Sequence, residues 1–210
     1  MLSVLVLAGM AHRVTACAAL DETVVTVHLV NDGVVPLAVL SHATVIAAKM
    51  FSPAGVRIDW RFGQPSGRRS QLDGTPVVRM ATRTPRNYLS GALGSTLPLE
   101  GEITVFYDRI RPRAETQFTA TLLAHVLVHE IAHVLEGILR HSATGIMKAN
   151  WTNKDTWDMI QGRLSFVPED LDLIRRGLAS RAATIGLLPG RKTTVPKPNH
   201  IRASCVECRY

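Results

Sequence analysis

His129 and His133 stand four residues apart, with Glu130 beside the first, inside a run whose apolar residues recur at helical spacing. On an α-helix that interval puts both imidazoles on one face, about 6 Å apart along the axis at about 1.5 Å per residue. Two imidazoles so placed can share one tetrahedral zinc ion. A carboxylate next to the first can reach a water on that metal as a general base. The chain is therefore constrained to keep this helix regular through both residues and to bring a further ligand back to the same face.

The helical pattern extends from about Glu115 to Glu136, with Phe118, Leu122, Val126, Ile131 and Leu135 among its apolar positions. Gly137 is suited to end it, because a left-handed C-cap carries no Cβ penalty there. Upstream, Thr23–Val30 is rich in β-branched residues and closes at Asn31-Asp32-Gly33, a strand followed by a turn. Pro36 opens a helix whose apolar positions run from Leu37 to Met50, and Pro53-Ala54-Gly55 stops it. Val56–Phe62, Pro76–Thr82 and Glu102–Tyr107 read as three more strands, with Ser90–Gly101 as a Gly-rich connection. After Gly137 comes an irregular stretch, and Pro168-Glu169-Asp170 opens a last helix to about Arg181. This order predicts an α+β fold: a small mixed sheet carrying a long helix and a C-terminal helix.

Composition permits one buried domain in 210 residues, with 46% apolar and 20% charged side chains. The net charge of +7 invites a nucleic-acid reading, yet residues 191–210 alone carry five Lys/Arg against one acid. Arg57, Arg61, Arg68, Arg69, Arg79, Arg83 and Arg86 form a second basic concentration, set among Gly, Pro and Ser with few aromatics. That composition suits a solvated loop face better than a phosphate-binding surface. Residues 1–19 read as a signal peptide, with Ala16-Cys17-Ala18 as a small-residue cleavage site; Cys17 offers an alternative as a lipidated residue. The apolar run from Leu2 to Ala11 is too short to span a bilayer. Residues 20–185 then form a single catalytic domain, and 186–210 a disordered basic tail in which Cys205 and Cys208 supply too few ligands for a zinc knuckle. The expectation is a secreted or periplasmic monomer.

Beyond Gly137, His141 lies eight residues after His133, and Met147 follows the Gly-containing segment Ser142-Ala143-Thr144-Gly145-Ile146. The string from His129 to His141, with Met147 after it, resembles the metzincin zinc peptidases, whose pattern is HExxHxxGxxH followed by a turn bearing a Met beneath the metal. Here the Gly comes one residue late and the third His two residues late, and the longer connection closes at little entropic cost. The resemblance implies Zn2+ held by His129, His133 and His141, with Glu130 as the catalytic base. It implies a metallopeptidase, an endopeptidase that hydrolyses peptide bonds of a peptide or protein substrate through a zinc-bound water. Other zincins draw the third ligand from a Glu or an Asp, which nominates Glu169, Asp155 or Asp158. His125 completes an i, i+4, i+8 row whose outer members lie about 12 Å apart, too far to share one ion, and reads as a packing residue.

Several supporting roles stay open on the sequence. Tyr107 and Arg140 are candidate second oxyanion donors, and Trp151 and Trp157 candidate walls of a cleft. The strand Glu102–Tyr107 could offer its edge to an extended substrate. Two other functions compete: a catalytically inactive zinc-binding protein, and a basic polyanion-binding or nucleic-acid-binding protein whose His cluster is incidental.

Overall fold

The computed structural model describes residues 22–66, 74–111 and 116–186. The predicted signal peptide, Cys17, and the tail with Cys205 and Cys208 lie outside them. Thr23–Val30 forms β1 and Leu37–Phe51 forms α1, which returns through a short 3-10 turn at Ser52–Ala54 into β2, Val56–Phe62. β1 and β2 pair in parallel, as a strand–helix–strand crossover requires. β3 (Val77–Ala81), β4 (Gly94–Leu97) and β5 (Glu102–Phe106) complete a five-stranded sheet of order β2-β1-β3-β5-β4. β3 is parallel to β1 and to β5, whereas β4 is antiparallel to β5. The sheet is mixed, as expected.

Among the described residues, four helices besides α1 follow or flank it: α2 (Tyr107–Ile110), α3 (Thr116–Glu136), α4 (Asn153–Ile160) and α5 (Pro168–Gly186). Val27 and Leu29 of β1, Val78 of β3 and Ile103 and Val105 of β5 belong to one core with Leu40, Ala43 and Ala47 of α1 and Leu123, Leu127, Ile131 and Leu135 of α3. α3 is apolar nearly all round because α1, α4, α5 and the sheet all pack on it. The stretch Phe118–Glu136 is long and apolar enough to cross a membrane, but 89% of it is buried inside the fold. Its apolarity is used in the core, where each buried Leu or Ile contributes about 1.5–3 kcal/mol.

Four departures from the sequence reading matter for the site. The connection Ser90–Gly101 contains β4, so Glu102–Phe106 is an interior strand and its edge is not free for a substrate; the edge belongs to β4. Tyr107 begins α2 instead of ending a strand, and its ring is buried. The stretch after Gly137 contains α4, started by a capping box in which Thr152 and Asp155 bond reciprocally. The last helix runs on to Gly186.

α3 ends where expected. Gly137 has φ 72°, and its N–H bonds back to the carbonyls of His133 and Val134 at 3.0 and 3.2 Å. At this same end of α3, α5 crosses it at Gly177. A Cβ there would lie 2.0 Å from the Leu135 carbonyl oxygen, so only glycine permits the approach.

Candidate metal centre

The last two turns of α3 present His129, Glu130 and His133, each fully buried. The chain reverses after Gly137 and brings His141 over the same face. One ligand atom from each of His129, His133 and His141 lies within 4.8 Å of the others. The ring centroids of His141 stand 5.2 Å from His129 and 5.1 Å from His133. Of the nominated third ligands, His141 is the one the fold brings to the pair. Asp155 is tied to Lys148 and to its helix cap at Thr152, Asp158 to Lys154 and Arg163, and Glu169 is exposed beside Arg140.

Backbone carbonyls set the tautomers. His129 Nδ1 donates to the Ile146 carbonyl at 2.8 Å, and His133 Nδ1 donates to the Ile138 carbonyl at 3.2 Å. Since a carbonyl only accepts, both Nδ1 atoms carry the proton and both Nε2 atoms carry lone pairs. Those lone pairs face each other across 3.0 Å. The Nε2 of His141 is buried with no hydrogen-bond partner. Nitrogens about 2.0–2.1 Å from one tetrahedral zinc lie about 3.3 Å apart, so the cluster fits such an ion.

Electrostatics favour the ligating form. Burial and the neighbouring His133 hold His129 well below the ordinary imidazole range. Burial and His141 push His133 down to about 3, and burial and Arg140 lower His141 as well. Neutral rings at pH 7 are what a cation site needs.

The turn bearing Met147 adjoins the site through the Ile146 carbonyl. Ser142 N–H bonds to the Met147 carbonyl at 2.8 Å, and Met147 is fully buried. The Ile146 carbonyl accepts a second bond, from Trp151 Nε1 at 3.2 Å, and the Trp151 ring stands edge-on to His129 with centroids 5.7 Å apart. Trp151 is thus a buried wall of the site, whereas Trp157 is exposed. His125 packs as expected: it is buried, and its Nδ1 donates to the Thr121 carbonyl at 2.7 Å.

Glu130 is held from β4. The Thr96 hydroxyl donates to Glu130 Oε2, and Gly94, two residues earlier on the same strand face, leaves room for the carboxylate. Neither residue was signalled by the sequence. Two further buried acids were also missed. Asp170 binds Arg140 and Ser142. Glu136 is buried with no hydrogen-bond partner on either oxygen, and burial, then Asp170, raise it to about 8. Arg140 spans Asp170, Ser142 and Glu169, which accounts for its guanidinium structurally.

This sheet and helix set is similar in fold to two solved structures. Archaemetzincin from Methanopyrus kandleri matches with a TM-score of 0.52 at 17% identity, over 74% of this chain and 96% of that one. A zinc-dependent peptidase from Methanocorpusculum labreanum matches with a TM-score of 0.53 at 11% identity, over 70% of this chain and 99% of that one. No protein-family model matches the chain, and no curated protein matches it in sequence.

Proposed function

We propose that the chain is a zinc-dependent metallopeptidase of metzincin type, with His129, His133 and His141 as the metal ligands and Glu130 as the general base. One observation carries the reading: two Nε2 lone pairs facing each other at 3.0 Å, with a third imidazole beside them. A buried arrangement of that kind is costly without a cation between the nitrogens. The similarity of fold to zinc-dependent peptidases supports the same reading. A zinc ion bound there would polarise a carbonyl and make a water acidic enough to attack near neutral pH.

The remaining steps belong to the chain's own groups. Glu130 takes the proton of the attacking water and passes it to the departing amine. The Thr96 hydroxyl fixes which carboxylate oxygen faces the reaction. β4 is the sheet's outer strand on this side, and an extended peptide paired with it would run past Glu130 without demanding a particular sequence. Substrate lying across the carboxylate over several residues favours endopeptidase action.

The test is cleavage of a mixed peptide library by the zinc-loaded chain and by Glu130→Gln. The natural chain is expected to cut, to lose cutting on chelation and to recover it with zinc. Glu130→Gln is expected to keep zinc and lose cutting. Equal cleavage by both, or no cleavage by the zinc-loaded natural chain, would remove the reading in favour of an inactive zinc protein.

A further inference from the structure

Asp170 sits in the first turn of α5 with its side chain fully buried. Its Oδ2 accepts the Val167 N–H at 3.1 Å, an ordinary capping role. Its Oδ1 does something else. It accepts from Arg140 Nη2 at 2.7 Å and from the Ser142 hydroxyl, and Arg140 Nη2 also reaches Ser142 Oγ at 3.2 Å. The two residues on either side of His141 are thus held by one oxygen of a different helix. That helix is itself pressed on α3 at Gly177 against Leu135 and Glu136. A contiguous path of contacts runs from the helix bearing His129 and His133, through α5 and Asp170, to the loop bearing His141.

We propose that Asp170 is the positioning residue for His141, fixing the lengthened connection so that this imidazole faces His129 and His133 before any metal arrives. The proposal rests on the zinc-site reading above. A connection that leaves the helix at Gly137 and returns without regular structure would lose much freedom on metal binding; one already tied at 140 and 142 loses little. The burial is itself affordable only with these partners, since an ionised carboxylate out of water needs charged or hydroxyl donors. Arg140 and Ser142 are those donors, so the charge and the loop stabilise each other.

The test uses the full chain as wild type, Asp170→Asn, Arg140→Met, Ser142→Ala and His141→Ala. Zinc affinity is read by chelator competition, and amide hydrogen exchange over residues 138–148 is read on the metal-free protein. Asp170→Asn is expected to weaken zinc by about 10–100-fold, the scale of lost outer-sphere support. It should also speed exchange across 138–142 while the amides of α3 stay protected. Arg140→Met and Ser142→Ala should each move both readouts the same way by less; they decide the matter if Asp170→Asn does not fold. Unchanged affinity and unchanged loop exchange in these variants would overturn the proposal. A His141→Ala variant that binds zinc as tightly as wild type would instead overturn the three-imidazole site, and the exchange comparison would still show whether Asp170 orders the loop.

Discussion

Gly94 and Glu130 meet without a side chain between them: a Cβ at position 94 would lie 2.5 Å from Glu130 Oε1 and 2.8 Å from its carboxyl carbon. The edge strand and the proposed base therefore occupy one shared space, and the strand yields it by carrying glycine. Gly94→Ala should displace the carboxylate while leaving the fold intact, because a side-chain end can move where backbone cannot. A misplacement near 1 Å costs about 100-fold in rate. The expected outcome is kcat/KM lowered by about that factor with zinc content unchanged. Activity within a few-fold of wild type would show that Glu130 is not held by this contact.

Thr96 tests the same carboxylate from its other oxygen. Thr96→Val keeps the shape and removes the donor to Glu130 Oε2. Leaving a buried charged group short of one bond costs about 1.5–3 kcal/mol, and Thr96→Ser should restore most of it. Thermal unfolding of the metal-free protein, with kcat measured on the zinc-loaded form, separates the two effects.

Gly177→Ala addresses packing. The added methyl would meet Leu135 carbonyl oxygen at 2.0 Å, a backbone atom inside α3. The helices must separate, at a cost of about 1–3 kcal/mol or more. Denaturant unfolding should show the loss. Because Asp170 rides on α5, zinc affinity should fall with it.

Much of this was legible in the residues, and the reasons for the remainder are physical. α3 announces itself because its apolar residues recur over five turns and Gly137 stops it. His141 could be found from Gly137 and Met147. β4 could not: Gly94-Ser95-Thr96-Leu97 is short, and Ser95 and Thr96 are both buried although they point to opposite faces, so the alternation that marks a strand is absent. α4 is short and polar, although Thr152-x-x-Asp155 is a capping-box signal that would have located its start. Asp170 carries no signal, since its bond to Ser142 spans 28 residues and exists only after the chain folds back.

Glu136 gives the pH dependence. In the folded chain burial and Asp170 raise it to about 8 from an ordinary 4.5. Between these values the folded state holds a proton that the unfolded state has released, so stability falls as pH rises from about 4.5 to about 8 and then levels. Glu136→Gln mimics the neutral acid and removes that loss. Its stability advantage over wild type, measured on metal-free protein by denaturant titration, should be small near pH 5 and greatest above pH 8. A constant difference across that range would mean that Glu136 titrates normally.

The most direct measurement is the zinc-edge anomalous signal and absorption fine structure of the zinc-loaded chain. The expected result is one ion bound by the Nε2 atoms of His129 and His133 and by the His141 imidazole, three nitrogens at about 2.0–2.1 Å. An ion held by Asp155, Asp158 or Glu169 in place of His141, or no stoichiometric zinc between these rings, would contradict the site on which the whole reading stands.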